Sequence, residues 1–371
     1  MLPLFAACET PNAIVATPAL ATPTPPEGSA TDADKAGLQV SGVTYAMAQQ
    51  VRWLDEQRFL VGRWDGTISL FEVSSSSNSP PKLLAAMSMP SGEGVQMLVT
   101  GDATTFVSSD REDSLMTWRK ETGDQFLPEL VPYPGRYGFA VSGLFVDYDE
   151  KSYLVTGHEH GDLLIWSVGT NTKLSLLRAV NLRMRDAIDY LHAEQPLRHI
   201  RGLAAWKDGI VIAGGEDGGL HQVRITDGVV LSQRLFNANA RLGVNDLAVH
   251  GDNLLVVNCA IGQQDWNVWL YGLSENQIEN RDSANLLRNP NIGRIFAFDI
   301  ITYEQKGESY ALVTTKEGLL WRLRFADGEL DPLESLPLGR FHYGNAIDYN
   351  ERSRSVAAAG ISVRVVAINA D

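Results

Sequence analysis

Cysteine is scarce in this chain: two residues in 371, Cys8 and Cys259, far apart in sequence. That excludes a disulfide framework and a cysteine-ligated metal site. Lysine is scarce as well. Of the 31 basic residues only 8 are lysine and 23 are arginine, so positive charge is carried mainly by planar, forked guanidiniums. Positive charge as a whole is in deficit, because 45 acidic residues leave a formal net charge of -14. A uniform nucleic-acid clamp is thereby excluded, since phosphate binding needs a positive field. No apolar run reaches the roughly 18–20 residues that a membrane helix needs. What is present is the composition of an ordinary globular protein, 44% hydrophobic and 20% charged, with enough apolar material for a large core.

The first 37 residues differ from the rest. Residues 9–36 are rich in Ala, Thr and Pro and poor in large apolar side chains, so they cannot offset their ordering entropy and read as a disordered, extended linker. Before them stands Leu4-Phe5-Ala6-Ala7-Cys8, an apolar run, two small residues and a cysteine. This resembles the end of a bacterial lipoprotein signal peptide. The resemblance implies lipidation of Cys8 after cleavage just before it. Phe5 stands where that family usually has Leu, no basic segment precedes it, and seven residues are short for a signal core. These departures are reconciled if translation starts upstream of Met1. The plainer alternative is an incidental apolar N-terminus with an inert cysteine.

From residue 38 to residue 371 the chain repeats seven times. Each unit holds a short apolar strand, a tight polar turn and a second strand, as in FLVGRWDGTISLFEV from Phe59 and YLVTGHEHGDLLIWSV from Tyr153. Aligning Leu60, Val107, Leu154, Val211, Leu255, Leu312 and Ala357 gives spacings of 47, 47, 57, 44, 57 and 45 residues. A nearly fixed period in this range marks a repeat architecture. Asp65-Gly66, Gly161-Asp162, Asp217-Gly218 and Glu317-Gly318 supply hairpin turns. A further apolar strand precedes each hairpin, at 50–54, 95–100, 144–148, 203–206, 246–249, 295–299 and 346–349, and a fourth follows, for example at 82–89, 173–180 and 229–236. Four strands in seven units make an all-β, seven-bladed β-propeller of four-stranded antiparallel blades. The last unit has only three strands. The segment 38–44 supplies the missing one, so an N-terminal strand is expected to complete the last blade and close the ring.

The hairpins resemble degenerate WD40 repeats, with Gly161-Asp162-Leu163-Leu164-Ile165-Trp166 the best copy and Trp118 and Trp321 near equivalent positions. The Trp-Asp and Gly-His dipeptides of that family are absent, so the likeness is one of layout. It implies a ring that binds proteins on its faces and carries no catalytic residues over.

Motifs for chemistry are missing. There is no Gly-x-Ser-x-Gly elbow and no phosphate-cradling glycine loop with a lysine. His158-Glu159-His160-Gly161-Asp162 is the densest set of ligand-type residues, and it reads as a solvated hairpin turn rather than a metal site. Asp110, Glu112, Asp113, Glu216 and Asp217 occupy equivalent turns and read as exposed, solubilising faces. Cys259 reads as a small buried hydrophobe. No catalytic residue, cofactor or metal is assigned.

Two departures from the period stand out. The first adds residues at 183–194, where Met184, Ala187, Ile188 and Leu191 recur at helical spacing and Pro196 is a stop. A short amphipathic helix is expected there, surrounded by Arg178, Arg183, Arg185, Arg198 and Arg201, with His192 and His199, and Tyr190 on the helix joins the candidate partner-binding residues. The second comes from 279–291 and a longer hairpin at 302–309, and both read as loops. More arginines and aromatics gather where strands enter the ring, at Arg136, Tyr137, Arg340 and Tyr343, and Trp64 stands in a turn. These residue types dominate interface energetics, and forked guanidiniums suit carboxylates. The expected function is therefore a monomeric, non-catalytic scaffold that binds an acidic protein partner through one propeller face. It is expected in the bacterial envelope, periplasmic and held at the membrane only by lipid on Cys8. The alternatives are a propeller enzyme or small-ligand binder using the axial channel, and a cytoplasmic address.

Overall fold

The structure is a computed structural model that describes residues 38–40, 44–45, 48–73, 79–184, 198–235, 243–261, 267–284, 294–315, 318–338, 346–360 and 362–368. Two short N-terminal strands, β1 (Leu38–Val40) and β2 (Thr44–Tyr45), precede the first blade. Blade one is β3 (Ala48–Trp53), β4 (Arg58–Arg63), β5 (Thr67–Glu72) and β6 (Lys82–Ser88). Blade two is β7 (Met97–Asp102), β8 (Thr105–Ser109), β9 (Leu115–Lys120) and β10 (Phe126–Leu130). Blade three is β11 (Ala140–Tyr148), β12 (Lys151–His158), β13 (Asp162–Val168) and β14 (Leu174–Asn181). Blade four is β15 (Ile200–Ala205), β16 (Ile210–Gly215), β17 (Gly219–Arg224) and β18 (Val230–Leu235). Blade five is β19 (Val244–His250), β20 (Asn253–Ile261), β21 (Val268–Ser274) and β22 (Gln277–Ala284). Blade six is β23 (Arg294–Gln305), β24 (Glu308–Thr315), β25 (Leu319–Ala326) and β26 (Glu329–Pro337). Blade seven holds β27 (Ala346–Asn350), β28 (Ser355–Ala359) and β29 (Ser362–Ile368).

Every blade is an antiparallel meander, innermost strand first. The architecture is the seven-bladed propeller that the repeat period implies. Blades five and six are also joined where Cys259–Ile261 at the end of β20, the second strand of blade five, pairs with the start of β23, with Cys259 opposite Phe296. β1 runs antiparallel along β29 with Leu38 opposite Ile368, and β2 pairs with the same strand at Thr44 and Val363.

Apolar side chains separate the sheets. Alternate residues of each second strand feed opposite joints. In β4, Phe59 and Val61 pack toward blade seven while Leu60 packs toward blade two. The described residues form seven such apolar clusters, one for each neighbouring pair of blades, including blade seven on blade one. A fully buried Leu, Ile or Phe contributes about 1.5–3 kcal/mol, so each joint is a small core in its own right.

Carboxylates on the inner strands staple three successive joints. Asp246 accepts the backbone N–H of Ile300 at 3.1 Å, Asp299 that of Ile347 at 2.9 Å, and Asp348 that of Trp53 at 2.7 Å. Burial, with repulsion from Asp299, raises the pKa of Asp246 well above the usual carboxylate range, and burial pushes Asp348 up to about 6.

The loop reading of 279–291 is corrected in part, residues 285–291 lying outside the described residues, and the longer hairpin expected at 302–309 is present, built of strand rather than loop. Residues up to Ala284 belong to β22, and β23 and β24 form a long hairpin whose turn is only Lys306-Gly307. Stacked Tyr303 and Tyr310 rings, 5.4 Å apart, hold that extension, with the Arg322 guanidinium 4.1 Å over Tyr310. Of the helix expected at 183–194 from the spacing of Met184 to Leu191, residues 185–194 lie outside the described residues. Among the described residues no helix is long and apolar enough to cross a membrane.

Candidate partner-binding face

The turns between second and third strands all lie at one end of the ring. In blades two to four the connector arriving from the preceding blade crosses over them and decides which turn residues meet solvent. Asp110 is fully buried: its carboxylate accepts the N–H groups of Glu112 and Ser114 at 3.0 and 3.1 Å and the Ser91 hydroxyl from the incoming connector. Asp217 does the same in blade four, accepting Gly219 N–H at 3.0 Å and Met184 N–H at 3.1 Å. These acids, with Glu216, were expected to be exposed. They are buried because each closes its own turn and ties down a connector, and a buried carboxylate needs such partners. Glu112 and Asp113 are exposed as expected.

His158 also departs from a solvated turn. It is fully buried, and its place is taken up by a hydrogen-bond chain. Trp166 Nε1 donates to Thr156 Oγ1 at 3.0 Å, Thr156 Oγ1 lies 2.9 Å from His158 Nε2, and His158 Nδ1 lies 2.9 Å from the Gly138 carbonyl. A carbonyl only accepts, so Nδ1 carries the proton and Nε2 accepts from the threonine. Burial holds this imidazole down to about 4, in its neutral form. Among the described residues no group of three or more His, Cys, Asp or Glu is placed to hold a metal.

A charged network links the turns. Glu216 pairs with Arg201 Nε and with His199 Nδ1, the latter at 3.2 Å. Burial alone would raise this carboxyl, but the Arg201 guanidinium and the His199 ring beside it outweigh it and hold it at about 2. His199 Nε2 reaches Glu159 of the blade-three turn at 4.0 Å, and its ring meets the edge of Phe139. Gly243 fits only because it has no side chain: an added Cβ would run into the Glu216 backbone. On the blade-one side, the Arg111 guanidinium lies 5.7 Å over the Trp64 ring, with Glu93 and Glu159 among its charged neighbours.

Around the blade-three turn sit more arginines. Arg183 Nε donates to the His160 carbonyl at 2.5 Å, and its Nη2 stands 3.6 Å from Asp162. Arg136 is exposed, stacks at 4.8 Å on Tyr137 and donates to its hydroxyl at 2.6 Å. Gly161 at φ 83° makes this packing possible, since a Cβ there would press on Arg183 Cγ at 2.9 Å and Arg198 Cβ at 3.4 Å.

Trp64, Arg136, Tyr137, Arg183, Arg198 and Arg201 thus fall on one face. Arg136 and Arg183 are exposed and Trp64 and Arg198 half-buried, whereas Tyr137 lies beneath Arg136 and Arg201 is turned onto Glu216. Cys8, Arg185, Tyr190, His192, Arg340 and Tyr343 lie outside the described residues. Arg111 was missed, although the repeat alignment puts it in the turn equivalent to that of Trp64. The opposite face carries a groove of about 1110 Å³ where blades seven, one and two meet. There Arg58 is clamped by Asp55 and Asp124 at 2.5 and 2.8 Å.

The ring and its turns define the class of protein, an all-β seven-bladed propeller of four-stranded antiparallel blades. No family model and no curated protein matches the chain. Among solved structures it is similar to the β-propeller domain of Cps50 (Swd1) from Myceliophteria thermophila, with 12% sequence identity and a TM-score of 0.63 over 90% of this chain and 100% of that one. At that identity the likeness is one of fold.

Proposed function

We propose that this protein is a non-catalytic scaffold that binds protein partners through the turn face of blades one to four. The observation that carries the reading is the convergence on that face of Trp64, Arg111, Arg136 and Arg183, each braced by a neighbour. Tryptophan and arginine contribute most to binding when held rigidly at the centre of an interface. The ring acts as a monomer and needs no cofactor, and its partners are proteins rather than nucleic acid. β1 serves as the fourth strand of blade seven and closes the ring.

The same proposal places the protein in the bacterial envelope, in the periplasm. Lipid on Cys8 anchors it, and residues 9–36 hold the ring away from the bilayer at up to about 3.1 Å per residue where polyproline-like. One diacyl group with an amide-linked chain gives lasting residence. Mass spectrometry of the native N-terminus tests the address: a lipidated Cys8 is expected, and an unmodified Met1 would overturn it.

Pull-down with the parent ring and with Arg183→Glu plus Arg198→Glu tests the face. Loss of partners specific to the parent is expected. Unchanged recovery, or turnover in a hydrolase or oxidoreductase screen, would overturn the reading.

A further inference from the structure

We propose that Arg136, Arg183 and Arg198, gathered around the turn at 160–162, form a receptor for acidic side chains in a segment of the partner protein. The inference rests on the partner-face reading above and names the chemistry of what that face receives. Arg183 is fixed by the His160 carbonyl and Asp162, yet 38% of its side chain remains accessible. Arg136 is fixed differently, lying on the buried Tyr137 ring and bonded to its hydroxyl. Its guanidinium is also within the field of Asp162, so the two arginines share one neighbourhood. Arg198 borders the same turn through Gly161.

The local charge count favours an anionic ligand. Asp162 is the counter-charge of Arg136 and Arg183; it is 7% exposed and also accepts Asn181 Nδ2 at 3.0 Å, while Arg198 acts on the buried Asp217 of the next turn. Glu159, in the same turn, is directed to His199 at 4.0 Å. Three arginines therefore share two nearly covered carboxylates, Asp162 and the Asp217 that the Arg198 charge reaches, in a chain whose net charge is -14. Preorganised forks lose little freedom on binding and match carboxylates in a bidentate way.

The surroundings decide which anion fits. Asp65, Glu93, Glu112 and Asp113 are exposed around the neighbouring turns. A nucleic acid, with a charge every ~1.7 Å of duplex, would carry its charge into that acidic border. A short peptide can place two or three carboxylates in the collar and neutral residues over the border.

The test is fluorescence anisotropy on the full chain with a labelled hexaglutamate peptide and, separately, a labelled single-stranded hexanucleotide. Salt-sensitive hexaglutamate binding is expected, weakened at least about tenfold by Arg136→Glu plus Arg183→Glu and unchanged by Arg352→Glu in the opposite groove. Arg183→Lys, which keeps the charge without the fork, should fall between. Thermal melts of the same variants should match the parent, because the substituted side chains are exposed. No hexaglutamate binding, equal loss with Arg352→Glu, or tighter binding of the hexanucleotide would overturn the inference. If hexaglutamate fails while partner capture still depends on Trp64 and Arg111, this inference falls and the partner face stands.

Discussion

Asp348 of β27 accepts the backbone N–H of Trp53 of β3 at 2.7 Å, across 295 positions of sequence. The Trp53 indole returns a bond to the Asp348 carbonyl at 3.0 Å, and Asn350 reaches the Asp55 carbonyl at 2.7 Å. The last blade is thus held to the first by polar bonds as well as by the apolar cluster around Phe59 and Val365.

Asp348→Ala should lower stability by about 1–3 kcal/mol, the cost of leaving the Trp53 N–H without its acceptor. Asp348→Asn keeps an acceptor oxygen and should be far milder at neutral pH. Urea unfolding followed by tryptophan fluorescence separates the two. An alanine variant as stable as the parent would contradict the staple.

The pH profile of stability follows from opposed groups. Asp348, raised to about 6 by burial against an ordinary 3.8, keeps a proton in the folded ring that the unfolded chain releases. Its contribution therefore grows as pH falls from about 6 to 3.8, and the raised Asp246 acts in the same direction. His158 and His221 are lowered by burial to about 4 from an ordinary 6.5. Their contribution is full above 6.5 and is lost as pH falls through 4. The parent melting temperature should stay nearly level between these limits. It should then drop as Glu216, held at about 2, loses its contribution below 4.5. In Asp348→Asn one balancing group is gone, so the melting temperature should decline from pH 6.5 to 4. Parallel profiles for parent and variant would refute this balance.

Glu216→Gln and Glu159→Gln form a matched pair. Glu216 is buried between Arg201 and His199, so losing its charge should cost about 3–5 kcal/mol. Glu159 is 27% exposed and 4.0 Å from His199, and its replacement should cost less than about 1 kcal/mol. Comparable melting losses in both variants would show that the network is not centred on Glu216.

Removing residues 38–46 tests ring closure. β29 would then present an unpaired edge, a template for association. Aggregation or loss of the cooperative melt is expected on size-exclusion chromatography and calorimetry. A monomeric, cooperatively melting deletion would refute closure by β1.

The blades were legible because each second strand is a short apolar run recurring near a fixed period, as at Leu60, Leu154 and Leu312, and each of these is fully buried. The β23–β24 connection was legible as a longer hairpin, but its arms were read as loop because Thr302, Glu304 and Gln305 interrupt the apolar pattern. Burial of Asp110, Asp217 and His158 left no local sign, since what covers them comes from the preceding connector: Ser91, Met184 and Gly138 lie 19, 33 and 20 residues earlier. The staples at Asp246, Asp299 and Asp348 were equally silent, because their partners belong to the next blade. Of the face, the arginines were legible by type. Which of them are braced outward, like Arg136, and which are spent on a buried acid, like Arg201, depends on contacts across blades.

The partner face itself is tested most directly by site-specific photo-crosslinking in cells. A photoreactive residue placed at Trp64, at Arg136 or at Arg352 samples the turn face twice and the opposite groove once. Partner adducts should form from positions 64 and 136 and be absent from 352. Adducts confined to position 352, or equal from all three, would contradict the assignment of the turn face as the site of partner binding.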